Sequence, residues 1–247
     1  MTPAFGTVHV FDDGDALARG AADWLVAHTG RMTDDFVLSL SGGSTPKRLY
    51  SLLADAAYVD RFPWGHAEFT FGDERFLPPD DPASNAHMAT EAMFSRAPLP
   101  PENVHRVSTV GISPEAAASE YEATLRRLYG ADTLDPARPL FEVTLLGLGE
   151  DGHTASLIPG QKVLQERTRW VQAVPEGRPE TRITLTYPAI DSSRFVVFLV
   201  QGEGKRAVLD RILSGDDTLP ASRVRPVGSV LWMLDQAAAG RWAEDAT

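Results

Sequence analysis

Asp151 and His153 are the pair of side chains in this sequence best suited to acid–base chemistry. They flank Gly152 in a glycine-rich loop that follows the apolar run Phe141–Leu146. Such a run is typical of a strand buried on both faces, and ligands bind beyond the carboxyl ends of strands in open α/β sheets. A neutral imidazole is a natural general base, and a nearby acid can hold its tautomer. We therefore predict that His153 is a catalytic base and that Asp151 orients it.

A second loop, Gly42-Gly43-Ser44-Thr45, has the composition of an anion-binding site. It lies between a predicted buried strand and a predicted helix. Glycines let the backbone approach a ligand, free N–H groups at a helix start favour anions, and hydroxyls add donors. The loop is not a Walker A motif, because Lys47 follows a proline and the spacing differs. An ordinary strand-to-helix turn with a hydroxyl cap remains the alternative.

Charged residues also lie at the ends of other predicted strands. Asp73 and Arg75 close an apolar strand, and Arg182 begins a strand of alternating polarity. Lys205 lies between a buried strand and a helix, where it is a candidate phosphate contact. An arginine can bind an oxyanion through two N–H groups, and we expect a neighbouring acid to orient Arg75. A solvated rim is the alternative for each of these residues.

Neither a metal nor a nucleotide cofactor is predicted. The chain has no cysteine, and no metal-ligand spacing links the remaining histidines, which are His9, His28, His66, His87 and His105. The segment Gly147–Gly152 matches the spacing G-x-G-x-x-G of dinucleotide sites. However, Pro159-Gly160 would end any following helix early, and the loop is acidic where a pyrophosphate would bind. We expect no cofactor.

The composition is that of an ordinary globular protein, with 43% hydrophobic and 23% charged residues among 247. The formal net charge of -11 argues against binding to nucleic acid or to an anionic membrane, because both require a basic face. No apolar run approaches the length of a membrane span and no leader opens the chain, so we expect a cytoplasmic protein. We also expect a monomer or a weak homo-oligomer.

Strand and helix patterns alternate along the chain. Apolar runs predict strands at residues 7–11, 36–41, 68–71, 141–146, 170–174, 195–200 and 230–234, with a short strand near 104–107. Helical spacing predicts helices near residues 13–30, 47–53, 85–94, 114–129 and 206–213. The alternation predicts an α/β fold with a doubly wound, mostly parallel Rossmann-like sheet and flanking helices. Strand 182–186 indicates a small antiparallel subdomain at its edge. We predict one domain over residues 1–247.

Taken together, these loops resemble those of the 6-phosphogluconolactonase family. The matching segments follow the family order along nearly the whole chain and are Ser41–Pro46, Phe71–Phe76, Ser84-Asn85, Gly147–Leu157, Arg182–Thr186, Gly204-Lys205 and Pro220–Ser222. One departure is Ile158, where the family often has an aromatic residue before the proline. The resemblance implies hydrolysis of a six-carbon sugar lactone that carries a 6-phosphate, in the pentose phosphate pathway.

The resemblance also implies roles for the residues. His153 would deprotonate the attacking water, with Asp151 orienting the ring. The backbone near residues 149–152 could stabilise the oxyanion. The substrate would be bound by Gly42, Gly43, Ser44, Thr45, Asp73, Arg75, Arg182 and Lys205. Gly43, Ser44 and Thr45 would hold the phosphate together with Arg182 and Lys205. Arg75 would contact either the phosphate or the lactone end.

Two alternatives accompany this interpretation. The related glucosamine-6-phosphate deaminases share the Gly-Gly-Ser-Thr-Pro and Asp-Gly-His loops, but they carry an Asn and a Glu at the positions of Leu157 and Ile158. Apolar side chains cannot do that acid–base work, so a deaminase or isomerase is disfavoured. A non-catalytic sugar-phosphate sensor is the other alternative, and the intact segment Asp151-Gly152-His153 disfavours it.

Overall fold

The computed structural model describes residues 6–243, which form two β-sheets and the helices around them. In chain order the strands are β1 (Thr7–Phe11), β2 (Phe36–Leu40), β3 (Ala67–Phe71), β4 (Asp73–Arg75), β5 (Phe141–Leu146), β6 (Val171–Val174), β7 (Arg182–Leu185), β8 (Ser193–Val200) and β9 (Ser229–Asp235). The main sheet has six strands in the order β1-β9-β8-β5-β2-β3, and each neighbouring pair is parallel. The predicted parallel α/β sheet is therefore confirmed.

Seven α-helices occur among residues 6–243, and sequence signals mark the ends of at least two of them. The seven are α1 (Gly14–Thr29), α2 (Ser44–Leu53), α3 (Asn85–Ala89), α4 (Pro114–Tyr129), α5 (Tyr187–Asp191), α6 (Arg206–Leu213) and α7 (Gln236–Ala239). The Asp13 carboxylate caps α1 by accepting the amide of Ala16 at 2.7 Å. Ser113 caps α4 in the same way, and Gly130 ends it in the left-handed conformation.

Apolar side chains cover both faces of the main sheet. On β8, Val197 and Leu199 pack into the cluster that contains α1 and α2, while Phe198 and Val200 pack into the cluster that contains α4 and α6. Successive strand residues point to opposite faces, so a strand covered on both sides is apolar at every position. The sheet is doubly wound for this reason, as predicted.

The second sheet has three antiparallel strands in the order β4-β7-β6. It begins directly after β3, an edge strand of the main sheet. Gly72 joins the two sheets, because its amide donates to the Leu40 carbonyl and its carbonyl accepts the Leu185 amide, each at 2.8 Å. The predicted antiparallel subdomain is confirmed, and it extends the molecule beside the carboxyl ends of the parallel strands.

Three local predictions differ from the structure. Residues 104–107 do not form a regular strand, since Val104 makes only a single parallel bridge to Phe69. The triplet Asp73–Arg75 is a strand of the second sheet and not the end of the third parallel strand. The helix predicted over 85–94 continues beyond α3 as a π-helical segment, Thr90–Phe94.

Residues 1–5 and 244–247 lie outside the described residues, so the predicted domain over 1–247 includes positions with no structural description. Between residues 6 and 243, no helix combines the length and the apolar character needed to cross a bilayer.

Candidate active site

A cleft of about 300 Å³ opens where the loops after β2 and β5 meet the second sheet. Many of the predicted site residues line it, namely Gly42, Gly43, Asp73, Arg75, His153, Arg182 and Lys205. Ser44, Thr45 and Asp151 are not among its lining residues. The carboxyl ends of parallel strands lie at one edge of the sheet, so residues from distant parts of the chain converge there.

Asp151 and His153 are hydrogen-bonded to each other at the mouth of this cleft. Oδ1 of Asp151 lies 2.5 Å from Nδ1 of His153 and also accepts the His153 amide at 3.1 Å. An ionised carboxylate can only accept, so Nδ1 carries the proton and the imidazole lone pair lies on Nε2. The hydrogen bonds formed within residues 6–243 do not use Nε2 of His153. A water or substrate atom can therefore reach this nitrogen, since the side chain is 29% exposed.

Arg178 contacts both members of the pair. Its Nη2 donates to Oδ2 of Asp151 at 2.8 Å and lies 2.9 Å from Nδ1 of His153. Burial opposes ionisation of Asp151, but the hydrogen bonds from Arg178 and His153 outweigh burial and hold the pKa of Asp151 well below its usual range. The carboxylate is consequently charged, and each of its oxygens has a different partner.

Gly149 is required by the position of the His153 ring. A Cβ atom at residue 149 would lie 1.9 Å from Nδ1 of His153 and 2.7 Å from Oδ1 of Asp151. The amides of Gly149 and Gly152 donate to the carbonyls of His153 (2.8 Å) and Gly149 (3.0 Å). These two amides shape the loop and are already engaged. They are not the oxyanion donors that the sequence suggested.

Asp73 is almost buried at the cleft, with 8% exposure. Its Oδ1 accepts from Nδ2 of Asn85 at 3.2 Å, and its Oδ2 accepts from Oγ of Ser156 at 2.6 Å. Asn85 is held in turn by Glu74, whose carboxylate accepts the Asn85 and Ala86 amides at the start of α3. Burial raises the pKa of Glu74, although these amides favour its charged form. The strand β4 and the helix α3 thus fix one wall of the cleft together.

Arg75 and Arg182 are direct partners in the β4–β7 pair. Nη1 of Arg75 donates to the Ala83 carbonyl, and Nη2 of Arg182 donates to Glu180 at 3.1 Å. Nε of each guanidinium is buried and has no hydrogen-bond partner among residues 6–243. Burial lowers the pKa of Arg182, while the charge of Asp73 opposes this effect and that of Arg75 adds to it. Neighbouring positive groups of this kind favour a bound anion.

The sequence suggested that a neighbouring acid orients Arg75, and the structure shows no such contact within residues 6–243. The carboxylate of Glu74 accepts the backbone amide of Arg75 at 2.8 Å and the amides of α3, so it is occupied by main-chain donors. No ion pair of Arg75 occurs within the described part of the chain, where its guanidinium bonds the carbonyl of Ala83 instead.

The glycine-rich loop after β2 lies close to Asn85 and begins α2. A Cβ atom at residue 42 would lie 2.0 Å from Oδ1 of Asn85, so only glycine permits this approach. Gly43 has φ of 106°, a conformation that favours glycine, and it precedes the helix without a side-chain cap. Oγ1 of Thr45 contacts Oε1 of Gln201 at 3.4 Å, outside the cleft lining. The backbone of residues 42–43, and not the hydroxyls, thus faces the cleft.

Arg178 and Asn85 are cleft residues to which the sequence analysis gave no role. Asn85 was part of a matching segment, which was a usable signal. Arg178 lies between Gly177 and Pro179 in the loop that connects β6 to β7, and a charged residue in that setting is typical of an exposed turn. Among residues 6–243, no cluster of His, Asp or Glu has the grouping needed to hold a metal ion.

The family model and the similar proteins described below indicate one family. The family model described as glucosamine-6-phosphate isomerases/6-phosphogluconolactonase matches residues 12–232. The 6-phosphogluconolactonase of Nostoc sp. is 38% identical over 94% of this chain and 96% of its own length. The 6-phosphogluconolactonase of Homo sapiens is 37% identical over 96% and 94%.

A solved structure leads to the same family. The crystal structure of 6-phosphogluconolactonase from Thermotoga maritima is 31% identical, with a TM-score of 0.79 over 93% of this chain and 99% of that one. The fold is α/β, and the cleft lies beyond the carboxyl ends of the parallel strands, which is where open α/β sheets bind their ligands. The chain belongs to the family of glucosamine-6-phosphate isomerases and 6-phosphogluconolactonases.

Proposed function

We propose that this protein hydrolyses 6-phosphogluconolactone to 6-phosphogluconate, the lactonase step of the pentose phosphate pathway. One observation carries the proposal: His153, which is hydrogen-bonded to Asp151, lines the same cleft as the guanidinium groups of Arg75 and Arg182. The first pair suits water activation, and the second suits an anionic substrate. The names of the relatives, which are 6-phosphogluconolactonases, support the choice of lactone.

His153 acts as the general base in this proposal. Nε2 takes a proton from a water molecule as that water attacks the lactone carbonyl carbon, and the imidazolium is stabilised by the Asp151 carboxylate through Nδ1–H. The tetrahedral intermediate collapses by breaking the bond to the ring oxygen, which receives the proton from Nε2. The carboxylic acid product then ionises. A positioned base of this kind contributes about 10²–10⁴-fold to a rate.

Arg75, Arg182 and Lys205 bind the phosphate end, together with the backbone of Gly42 and Gly43. The two arginines are supported in this role because both line the cleft and because they lie opposite each other in the β4–β7 pair, which brings two positive charges together. Lys205 precedes α6 and adds a further positive charge to the cleft lining. Asp73 is a candidate acceptor for sugar hydroxyls. Ser44 and Thr45 are the first residues of α2, and they contribute to phosphate binding through the positive end of this helix.

Deamination is the less favoured reaction because the cleft has no acid at the two positions after Ser156. Leu157 and Ile158 are 0% and 3% exposed and belong to the hydrophobic core. Hydrocarbon side chains neither donate nor accept protons, so they cannot replace the Asn and Glu of the deaminases. This difference favours hydrolysis of a lactone over chemistry at an amino sugar.

The direct test follows acid release from freshly prepared 6-phosphogluconolactone in the presence of the protein. We expect hydrolysis above the spontaneous rate, and a much lower kcat/KM for gluconolactone without phosphate. Glucosamine 6-phosphate should release no ammonia. Release of ammonia with lactone hydrolysis at background would establish the deaminase alternative, and binding of 6-phosphogluconate without turnover would indicate a sensor.

The proposal extends to the state of the protein in the cell. We propose a cytoplasmic monomer or weak homo-oligomer that has no nucleic-acid partner. The formal net charge of -11 supports the last point, because phosphate backbones repel an acidic surface. Sedimentation at several protein concentrations would measure the oligomeric state, and a stable higher assembly would contradict the prediction.

A further inference from the structure

Arg178 is held tightly over the Asp151–His153 pair by contacts that the proposed function does not use. Its Nη1 donates to the Gly177 carbonyl at 2.7 Å, and its Nη2 donates to Oδ2 of Asp151 at 2.8 Å. Gly177 has φ of 88°, a conformation that favours glycine, and it directly precedes Arg178 in the loop. The Arg178 side chain is 28% exposed, so most of it is removed from solvent.

The guanidinium changes the electrostatics of the pair in two ways. First, one carboxylate oxygen of Asp151 bonds His153 and the other bonds Arg178. The guanidinium therefore neutralises part of the negative charge that would otherwise favour a protonated imidazole. Second, a permanent positive charge lies 2.9 Å from Nδ1 of His153. Both effects disfavour a second proton on the ring, because a like charge at this distance opposes the charged form.

We propose that Arg178 is a positioning residue that keeps His153 in its basic form and fixes the Asp151 carboxylate against Nδ1–H. The inference rests on the proposed function, in which His153 must be neutral to accept a proton from water. It also explains how the proton leaves again. Imidazolium formed next to a guanidinium is destabilised, which favours transfer of the proton to the departing ring oxygen.

Other charged groups also line the cleft with His153. They are Asp73 and Arg75 on β4, Arg182 on β7 and Lys205 before α6. The acid among them favours a protonated ring, and the basic groups disfavour it. Among residues 6–243, the side chains within hydrogen-bond distance of the His153 ring are those of Asp151, which accepts from Nδ1–H, and Arg178, whose Nη2 lies beside Nδ1 and cannot donate to it while Nδ1 carries the proton. Arg178 is therefore the basic residue through which the protonation of His153 is best tested.

The experiment compares wild type with Arg178→Gln and Arg178→Lys. The first variant removes the charge and keeps N–H donors, and the second keeps the charge. Arg169→Gln is the matched control, because it also removes one positive charge but lies at an exposed position outside the cleft lining. Two quantities are measured in each protein: the pH profile of kcat/KM for lactone hydrolysis, and the protonation of His153 by NMR of the ¹⁵N-labelled free protein.

We expect the acid limb of the profile to move to higher pH by about one unit in Arg178→Gln, the low end of the range for a nearby charge. The NMR midpoint of His153 should move in the same direction. Arg178→Lys should restore most of the wild-type behaviour, and Arg169→Gln should match wild type. NMR reads the protein without substrate, so ionisation of the substrate phosphate does not enter that measurement.

A uniform loss of activity at every pH, with an unchanged NMR midpoint, would overturn the inference and indicate that Arg178 only holds the loop. A shift toward lower pH would also overturn it. If wild type fails to hydrolyse the lactone, the proposed function is wrong. The NMR midpoints then still decide whether Arg178 controls the protonation of His153.

Discussion

Arg75 and Arg182 face each other across the β4–β7 pair, and within the part of the chain that the structure describes Nε of each guanidinium is buried without a hydrogen-bond partner. Like charges at directly opposed positions destabilise an antiparallel pair, and a buried donor without a partner adds a further cost. An anion bound beside the two guanidinium groups would offset their mutual repulsion and would therefore stabilise this part of the molecule. This relationship underlies the first prediction.

Arg182→Gln should weaken substrate binding more than it weakens the fold. Hydrogen bonds to charged groups contribute about 1.5–3 kcal/mol, so we expect KM for the phosphorylated lactone to rise roughly 10- to 100-fold. The melting temperature in the absence of substrate should stay close to wild type, because the variant also relieves the repulsion with Arg75. Steady-state kinetics and thermal unfolding measure the two effects.

Arg127→Gln is the control for this prediction, since Arg127 lies on α4, outside the cleft lining, and its side chain donates a hydrogen bond to Thr124. Added inorganic phosphate should raise the melting temperature of wild type more than that of Arg182→Gln. An unchanged KM in Arg182→Gln would remove Arg182 from the phosphate site.

His153→Ala should lower kcat by about 10²–10⁴-fold, the range for loss of a general base, while 6-phosphogluconate still binds. Asp151→Asn should lower kcat less, because the base remains but its orientation and the stabilisation of the imidazolium are lost. Calorimetric titration with the product checks that the cleft is intact. Full activity in a His153→Ala protein that binds product would exclude His153 as the base.

Gly149→Ala should reduce activity although alanine is a small and common residue. Its Cβ would lie 1.9 Å from Nδ1 of His153, so the imidazole must move away from Asp151. We expect a fall in kcat of at least about tenfold, consistent with the sensitivity of catalysis to small displacements. Gly65→Ala is the control, because no atom lies within 4 Å of its added Cβ. Equal activity of the two variants would contradict the proposed position of the ring.

Glu142 should make stability depend on pH at the end of the sheet opposite the cleft. Burial opposes its ionisation, but hydrogen bonds from His28 (2.7 Å) and Arg194 (2.9 Å) outweigh burial and lower its pKa from the usual 4.5. A carboxylate with a lowered pKa stabilises the fold above its unfolded-state value, and this contribution is lost as pH falls through the folded-state value.

Glu142→Gln should therefore lower the free energy of unfolding at neutral pH by about 1 kcal/mol, and the difference from wild type should shrink below about pH 4.5. Urea unfolding at several pH values measures both quantities. Lactone hydrolysis at neutral pH should be unchanged, because Glu142 lies near the amino end of β5. A difference that is constant from neutral to acidic pH would show that the charge of Glu142 is not the cause.

Much of the fold could be predicted because its signals are local. The apolar runs at residues 36–40 and 141–146 lie on strands covered on both faces, and the caps at Asp13 and Ser113 mark helix starts. The segment 104–107 was misassigned because a short apolar stretch is compatible with a strand, whereas Val104 makes only one bridge. Short runs carry too little periodicity to decide between these outcomes.

The sequence by itself determined which segments form the buried strands, the glycine-rich loops and the close spacing of Asp151 and His153, because each depends on residues that are neighbours along the chain. Only the tertiary structure decided that Arg75 opposes Arg182 and that Arg178 shares the carboxylate of Asp151, 27 residues away. Strand register and loop direction set these contacts, and both arise from packing between distant segments. His153 could therefore be found from its neighbours, whereas its contact with Arg178 could not.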